Sequence, residues 1–462
     1  MRILISAVNF NEGDRMASQR PRALAQLLAA RGHDVTVLTM ATAPQNTAPH
    51  PDGVEVLATV PYDELVTAPV SQIPLPRRIL AALSVLNTAP TAAVLRRPRL
   101  SRLLGIDDGR RKKAFADLNN KRQRTAVGFK AISEDRKWTR ESVPFLEDLA
   151  RNREPYDVVW ATYSTYGSLW LGQKAKSLGV AKRVVVDFRD LMNQPDRLSM
   201  LNWFTRRQQR SAVRKADAVT VVSQGLRENL LEDPSLASHA PDVHVLYNGF
   251  LPGTLPSATG SPGEGLPLKI VYTGSLYQGR RDASPLFSAL REATTADPSL
   301  RFEVHYAGGA GALLTEMARK QGMEHCVVDH GVLTREGAAE LQRDADLLLA
   351  LSWNVSGSEG ILTGKFPEYL GVRKPIISIV AGDIPNAELS LEVKSMNLGI
   401  AVEETDGPEG IERLTHFLTG MGQQKAKGEA LQFEPDEEKV ARHDYSNLTR
   451  SLEDLFQTLI EV

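Results

Sequence analysis

Cysteine is nearly absent from this chain of 462 residues, and its scarcity bounds the cellular setting. The single thiol, Cys326, excludes an internal disulfide framework and suits a reducing compartment. We expect it to be a small buried hydrophobe within a strand. Long apolar runs are also lacking, since none reaches the roughly 18–20 residues that a membrane-spanning helix needs. The apolar run at the start is too short for a signal peptide and predicts a first β-strand. We therefore expect a cytoplasmic protein, either free or peripheral at the inner face of the cell membrane.

Several catalytic signatures are missing as well. No Ser-His-Asp or Cys-His arrangement is evident, and no paired Cys/His spacing predicts a zinc site. Neither half of the chain has a Gly-x-Gly-x-x-Gly sequence after its first strand, which argues against a nicotinamide dehydrogenase. Asp344 and Asp346 mimic an Asp-x-Asp metal motif, but they directly precede a predicted strand, which favours a structural role. We expect no metal ion and no cofactor.

What is present is an alternation of short apolar runs and helical patterns along the whole chain, which is typical of parallel α/β sheets. Strands are predicted in two series, at residues 2–8, 34–39, 54–59, 157–162, 183–188, 218–223 and 243–248, and then at residues 269–275, 302–308, 326–331, 346–352, 375–380 and 399–402. The pattern predicts two Rossmann-like, doubly wound parallel sheets facing each other across a cleft. Ligands of such sheets bind beyond the carboxyl ends of the strands.

The stretch between the two series is crowded with Gly, Pro, Ser and Thr and is predicted to be a linker. The predicted order is an N-terminal domain, this linker, a C-terminal domain and a terminal helix, at residues 1–252, 253–267, 268–440 and 441–462. The first helix is predicted from about Pro21 to Arg31. Proline suits its first turn, and Gly32 stands where a glycine commonly follows a helix.

One stretch, SEGILTGKFPEYLG at residues 358–371, almost matches a phosphate-binding P-loop. The match fails because Glu359 stands where glycine is required and Phe366 where a hydroxyl must hold magnesium. What remains is a glycine-containing loop that leads into a helix, whose unpaired backbone N–H groups attract an anion. Lys365 supplies a positive charge for phosphate, and Glu368 on the same face can accept hydrogen bonds from a ribose diol. The alternative is a surface pair of opposite charges.

These residues, together with others in the same order, resemble the GT-B glycosyltransferases, in particular the retaining family 4 group. The N-terminal part shows in a strand, a glycine-bearing loop and a helix closed by RGHDVTVLT, and the middle shows in VVVDFRDL, ADAVTVVSQGLRENL and VHVLYNGF. The C-terminal half shows in IVYTGSLYQGRRD, VVDHGVL and GKFPEYLGVRKPIIS. The resemblance covers nearly the full length apart from roughly residues 60–150. It implies a nucleotide diphosphate-sugar donor, an N-terminal domain for the acceptor, and a terminal helix that crosses back to that domain.

The resemblance also implies which residues bind the donor. Lys365 and Arg280 would hold the diphosphate and stabilise its departing charge, and Glu368 would hold the ribose. The set is completed by Gly13, Gly274, Arg281, His330, Val332, Gly360, Ile361, Leu362 and Thr363. Two positions depart from the family pattern, because Ser275 replaces a common arginine and Gly360 stands where relatives carry a second glutamate.

The acceptor is expected at the end of a strand in the first domain. Asp187, Arg189 and Asp190 are candidates to orient its hydroxyl, and Asp190 is also a catalytic candidate. A buried ion pair that braces the loop is the alternative interpretation. In retaining relatives the leaving phosphate is thought to help deprotonate the acceptor, which fits the lack of an evident base in this sequence.

Residues 60–150 do not match the family core, and they concentrate positive charge. Residues 96–140 hold fifteen Lys/Arg and five Asp/Glu, a balance of +10 in a chain of net charge −1. A basic, partly amphipathic segment at residues 79–140 could lie on an anionic membrane surface. A solvated helical hairpin without a partner is the alternative. Nucleic acid is disfavoured as a partner, because the charge is local and aromatic residues are not interleaved with it.

The sequence therefore predicts a retaining glycosyltransferase that builds a cell-surface polysaccharide or glycolipid, with a glycan or lipid-linked glycan as acceptor. Two alternatives remain open. One is a nucleotide-sugar epimerase of the same architecture. The other is a non-catalytic nucleotide-sugar sensor, which Ser275 and Gly360 keep in play because relatives carry charged residues at those positions.

Overall fold

The computed structural model describes residues 1–11, 16–41, 50–61, 108–190, 192, 199–251 and 265–461. The N-terminal elements are β1 (Arg2–Ser6), α1 (Met16–Ala30), β2 (Asp34–Ala41), β3 (Val54–Pro61), α2 (Asp108–Asn152), β4 (Tyr156–Tyr163), α3 (Tyr166–Ser177), β5 (Ala181–Phe188), α4 (Ser199–Lys215), β6 (Ala218–Val221), α5 (Gln224–Leu231) and β7 (Val243–Val245). The seven strands form one sheet in the order β3-β2-β1-β4-β5-β6-β7. Pairing from β3 to β6 is parallel, and the strand order reverses between β1 and β4.

The C-terminal elements form a second sheet. They are β8 (Leu268–Thr273), α6 (Ser284–Ala296), β9 (Phe302–Ala307), α7 (Gly311–Arg319), β10 (Val327–Asp329), α8 (Arg335–Arg343), β11 (Leu347–Trp353), α9 (Lys365–Val372), β12 (Ile376–Ala381), α10 (Glu388–Ser395), β13 (Gly399–Glu403), α11 (Gly407–Ala426), α12 (Glu437–Val440) and α13 (Tyr445–Glu461). Six parallel strands take the order β10-β9-β8-β11-β12-β13. The order reverses between β8 and β11, and that switch point is where an open sheet of this kind binds its ligand.

Both faces of the second sheet are covered, which is why its strands are almost continuously apolar. Ile270 and Tyr272 of β8 belong to an apolar cluster shared with α6 and α11. Val271, between them, belongs to a second cluster shared with α9 and α10. This alternation places Thr273, the last residue of β8, on the same face of the sheet as α9.

The chain divides into two compact units. Unit 1 comprises residues 1–221, 230–244 and 453–462, and unit 2 comprises residues 222–229 and 245–452. The first turn of α5 therefore belongs to unit 2, and the last part of α13 belongs to unit 1. Within unit 1, Glu453 of α13 accepts hydrogen bonds from Arg31 at 2.7 Å and contacts His33 at 2.8 Å.

The predicted α/β class with two doubly wound sheets is confirmed, and each of the thirteen predicted strands is present. Cys326 is buried, as expected, but it lies one residue before β10 rather than within a strand. Most of the predicted linker falls on residues 252–264, outside the described residues. Within the described residues, no helix is both long and apolar enough to cross a membrane.

The prediction for the first helix was wrong at its start, because α1 begins at Met16 and Pro21 lies inside it. A proline there cannot donate a hydrogen bond to the carbonyl of Ala17. The guanidinium of Arg189 donates to that carbonyl instead, at 2.5 Å. The end of the helix was predicted correctly, since Gly32 has φ +89°.

Candidate functional site

The loop after β8 presents two arginines at the switch point of the second sheet. Gly274 has φ +144°, and its carbonyl accepts a hydrogen bond from the Tyr306 hydroxyl at 2.9 Å. A single 3₁₀ turn, Tyr277–Gly279, follows and leads directly into Arg280 and Arg281. The sequence therefore places both charges within one short, tightly folded loop.

Arg281 is buried, whereas Arg280 is exposed. The side chain of Arg281 donates hydrogen bonds to the Ser275 carbonyl at 3.1 Å and to the Tyr272 hydroxyl at 3.4 Å, and the residue is 8% exposed. Its Nε atom is buried without a hydrogen-bond partner among the described residues. No carboxylate pairs with either arginine within the part of the chain that the structure describes. A buried cation left in this state favours an anionic ligand.

An aromatic pair brings this loop against the end of β11. The Arg281 guanidinium lies 4.5 Å from the ring centre of Tyr277 and 5.7 Å from that of Trp353, the last residue of β11. Arg280 lies 5.9 Å from the same indole, and Tyr277 meets Trp353 edge to face at 5.3 Å. Such cation–π contacts contribute about 0.5–2 kcal/mol each. They hold the guanidinium groups in place without neutralising their charge.

The loop before α9 is held by hydrogen bonds to its backbone carbonyls. Gly360 adopts φ +68°, and the carbonyl of Ile361 accepts a hydrogen bond from the Ser352 hydroxyl at 3.3 Å. Leu362 packs on the apolar cluster beneath α9, and the buried Thr363 accepts a hydrogen bond from the Phe366 amide at 2.9 Å.

Helix α9 begins as predicted, with a glycine and a proline in its first residues. Gly364 is the N-cap and provides no side-chain cap, and Pro367 lies within the first turn. The first turn therefore presents amides that no side chain caps, at the position where a helix attracts an anion.

Lys365 and Glu368 form a partly buried pair on α9. The ammonium of Lys365 lies 2.9 Å from Oε2 of Glu368, and their side chains are 28% and 22% exposed. The buried Gln342 of α8 donates to the same oxygen at 3.4 Å and to the hydroxyl of Thr273 at 2.7 Å. These bonds tie the first turn of α9 to the carboxyl end of β8.

Two further candidates follow β10. His330 is exposed, and its Nε2 lies 2.9 Å from Nδ1 of His305, whose Nε2 lies 2.9 Å from the Glu303 carboxylate. Burial is the largest influence on His305 and lowers its pKa, so the neutral ring is favoured. Val332 is 80% exposed. The structure places both residues after the carboxyl end of β10, and their predicted contact with a nucleobase stays a prediction.

In unit 1, Asp187 lies in a buried network. It pairs with the buried Arg20 at 2.9 Å and accepts hydrogen bonds from the hydroxyls of Thr162 at 2.8 Å and Thr220 at 2.7 Å. This geometry matches the alternative interpretation, an ion pair that braces the strand end. The guanidinium of Arg189 donates a hydrogen bond to the carbonyl of Ala17, and Asp190 is exposed. Gly13 lies outside the described residues.

In the Asp-x-Asp sequence, Asp346 takes part in contacts within unit 2. Asp346 accepts hydrogen bonds from the Lys425 ammonium and the Lys269 amide, both at 2.9 Å. Among the described residues, no group of three or more His, Cys, Asp or Glu side chains is arranged to hold a metal ion.

Sequence reasoning missed Gln342, Trp353, Tyr277 and Glu388. Gln342 and Trp353 reach the site only through contacts across the sheet, for which spacing gives no signal. Tyr277 carries one visible clue, its position inside the loop rich in glycine and arginine. The carboxylate of Glu388 accepts hydrogen bonds from the amides of Gln224 and Gly225 at 2.7 and 2.8 Å.

The basic segment is described only from residue 108 onward, where it forms the 45-residue helix α2. Helix α2 packs against α4 in unit 1, where a Cβ on Gly128 would meet the Leu201 side chain at 2.5 Å. Val127 of α2 is 68% exposed and Trp203 of α4 is 63% exposed. The apolar run at residues 79–95 lies outside the described residues.

A family model described as a glycosyl transferase 4-like domain matches residues 17–249. Among solved structures, sucrose-phosphate synthase from Thermosynechococcus elongatus aligns over 100% of this chain and 99% of its own, with a TM-score of 0.60 and 12% identity. The apo structure of OtsA aligns over 98% of both chains, with a TM-score of 0.55 and 12% identity. The apo form of the lipopolysaccharide outer core galactosyltransferase WaaB aligns over 99% of both, with a TM-score of 0.52 and 13% identity. These likenesses show a shared fold. No curated protein sequence matches the chain.

Proposed function

The chain belongs to the glycosyl transferase 4-like family, and we propose that it moves a sugar from a nucleoside diphosphate donor, bound in unit 2, to an acceptor hydroxyl. Its fold is that of the GT-B glycosyltransferases, and its general activity is glycosyl transfer. The single observation that carries the donor proposal is the buried Arg281, which lies at the switch point without a carboxylate partner among the described residues. A diphosphate bound there would supply the negative charge that the described residues do not provide.

Residues from three parts of unit 2 would bind the donor. Arg281, Arg280 and Lys365, with the amides that open α9, would bind the diphosphate and stabilise the negative charge that develops on it. The carboxylate of Glu368 would accept hydrogen bonds from the ribose hydroxyls. His330 and Val332 would lie beside the base. We propose that these cations make a metal ion unnecessary, because they neutralise the same phosphate oxygens.

The transfer would proceed with retention of configuration. The bond between the anomeric carbon and the phosphate oxygen breaks, and a bond forms from that carbon to the acceptor oxygen. The proton of the acceptor hydroxyl passes to the departing phosphate, which carries the negative charge released. The acceptor would be a glycan or lipid-linked glycan of a cell-surface polysaccharide or glycolipid. We further propose that the protein lies at an anionic membrane surface through α2 and α4.

Thermal unfolding with ADP, GDP, UDP and dTDP tests the donor proposal. A ligand at about 100 times its dissociation constant adds roughly 2.7 kcal/mol to the free energy of unfolding, so at least one nucleotide should raise the melting temperature. Arg281→Ala and Lys365→Ala should abolish most of this rise. Lys320→Ala removes an exposed charge at the end of α7 and is the matched control. The proposal fails if none of the four nucleotides stabilises the wild type, or if the control loses as much as the site variants.

Turnover separates the remaining alternatives. A transferase releases free nucleoside diphosphate from the sugar nucleotide only when an acceptor is present, whereas an epimerase converts the sugar ring and keeps the nucleotide attached. A sensor binds the nucleotide without turnover. The sensor alternative rests on Ser275, which brings no charge to a phosphate. Its hydroxyl accepts a hydrogen bond from the Tyr277 amide at 3.2 Å, so the residue serves the turn itself.

A further inference from the structure

The first turn of α5 lies in backbone contact with the loop that opens α9. A Cβ added to Gly225 would lie 2.2 Å from the Cα of Gly360, and one added to Gly360 would lie 2.3 Å from the Cα of Gly225. The hydroxyl of Ser223 donates to the Gly360 carbonyl at 2.8 Å. Both glycines are therefore required by a close approach, and any shift of this turn moves the loop.

Glu388, the first residue of α10, holds the turn from the other side. One carboxylate oxygen accepts from the Gln224 amide at 2.7 Å, and the other accepts from the Gly225 amide at 2.8 Å. The hydroxyl of Ser223 accepts from the Leu226 amide at 3.1 Å. Ser223 thus caps α5 at Leu226, and Glu388, more than 160 residues away in sequence, satisfies the amides of Gln224 and Gly225 that this cap leaves open.

We infer that Glu388 is a positioning residue, which fixes the donor loop at Gly360 through the first turn of α5 and so sets the affinity for the donor diphosphate. The inference rests on the proposed function of that loop. This positioning role requires both carboxylate oxygens of Glu388 to accept hydrogen bonds at the same time. The ionised carboxylate meets this condition best, because protonation turns one oxygen into a donor and weakens it as an acceptor.

The surroundings of Glu388 make its ionisation dependent on pH near neutrality. Burial is the largest influence and raises its pKa to about 7, while the two amides act in the opposite direction. The carboxylates of Glu392, on its own helix, and Glu228, on α5, raise the pKa further. Behind Glu392 lies the buried His443, whose Nε2 is 3.7 Å from that carboxylate.

Two more titratable groups face this cluster. The ring of Tyr247 lies 4.6 Å from that of His443, and burial, together with Glu392 and Glu388, raises the pKa of Tyr247. Arg442 acts on Tyr247 in the opposite direction. The groups that act on Glu388 and Tyr247 are thus mainly carboxylates, and the guanidinium of Arg442 opposes them at Tyr247.

The effect of Glu388 ionisation on the free energy of unfolding distinguishes a positioning role from a purely structural one. Because the pKa of Glu388 is raised on folding, its contribution to stability is fully present at low pH and is lost as the pH rises through about 7. The ionised form of Glu388, which accepts hydrogen bonds from both amides, is thus the form that lowers the free energy of unfolding. Glu388→Gln should bind donor more weakly at about pH 8 while unfolding at the same or a higher temperature.

Calorimetric titration of the full-length protein with ADP, GDP, UDP and dTDP, between about pH 6 and pH 8.5, measures the effect. Glutamine offers one acceptor oxygen for the two amides, so the dissociation constant of Glu388→Gln should rise about tenfold over wild type at the upper end. The ratio of the two constants should fall towards one at the lower end, where wild-type Glu388 is itself protonated. Glu228→Gln is the matched control, since it removes a neighbouring charge but keeps both amide bonds. Glu228→Gln should bind the nucleotide at high pH as tightly as wild type does. Its loss of affinity on acidification should have a midpoint at lower pH than that of wild type, because the pKa of Glu388 is then raised less.

Each other outcome overturns the inference. If wild type binds a nucleotide and Glu388→Gln binds it equally at every pH, the loop does not depend on Glu388, although the proposed function stands. A melting temperature that falls together with the affinity assigns Glu388 a purely structural role. A midpoint unmoved by Glu228→Gln contradicts the titration of Glu388. If the wild type binds none of the four nucleotides, the proposed function fails and this inference fails with it.

Discussion

At the scale of single residues, Gln342 shows how the site depends on groups that never touch the substrate. Its amide is 2% exposed and donates to both Thr273 and Glu368. A buried amide of this kind is kept only where its hydrogen bonds are satisfied. Gln342 therefore fixes the rotamer of Glu368, and it does so from a different helix.

Replacing Gln342 by alanine should weaken donor binding more than catalysis. The lost hydrogen bond to a charged group corresponds to about 1.5–3 kcal/mol, so KM for the sugar nucleotide should rise about tenfold or more while kcat changes little. Steady-state kinetics with the donor found in the thermal screen measure the split. Gln321→Ala, which removes an exposed amide bonded to Arg291, is the control. An equal loss in kcat would instead place Gln342 in the transition state.

The same residues show what a sequence can and cannot reveal. The Lys365–Glu368 pair was predictable, because one helical turn separates its members and a recognisable loop precedes them. Gln342 was not predictable, since its partner lies 26 residues away across two elements. Arg281 was proposed alongside Arg280, but only the fold shows which of the two is buried against Tyr277 and Trp353.

At the scale of elements, the strands were predicted with high fidelity and the start of α1 was not. Buried parallel strands are visible in a sequence as short apolar runs, and the structure has a strand at each of the thirteen predicted positions. A proline, by contrast, is a local signal that usually marks the start of a helix. Here tertiary structure overrides it, since Arg189 satisfies the carbonyl of Ala17 that Pro21 leaves without its helical partner.

A double-mutant cycle on Pro21 and Arg189 tests this interpretation. Arg189→Ala leaves the Ala17 carbonyl without its donor and should reduce the free energy of unfolding by about 1–3 kcal/mol. Pro21→Ala restores a backbone N–H to that carbonyl, so the same Arg189→Ala change should cost at least about 0.5 kcal/mol less in the Pro21→Ala background. Urea unfolding of the four proteins gives the coupling. Strictly additive effects would show that Arg189 acts elsewhere, and would return it to the candidates for acceptor binding.

At the scale of the whole molecule, positive charge is distributed unevenly, and much of it lies on two helices of unit 1. Helix α4 carries five basic residues and no acidic ones between Ser199 and Lys215. It lies against α2, which continues the basic segment, and each helix exposes a large apolar side chain, Val127 on α2 and Trp203 on α4. A tryptophan among arginines is suited to the boundary between lipid headgroups and acyl chains.

Flotation with phosphatidylcholine vesicles, with and without phosphatidylserine, tests whether this surface binds lipid. The protein should float with anionic vesicles at low salt and be released at high salt, because exposed charges are screened beyond a Debye length of about 10 Å at 0.1 M. Trp203→Ser should weaken flotation, since it removes apolar area that would otherwise enter the interface. Leu391→Ser removes an apolar side chain of 48% exposure from unit 2 and should have no effect. Flotation that is absent at low salt, or equally sensitive to both substitutions, would favour a solvated helical surface and would remove the reason to expect a lipid-linked acceptor.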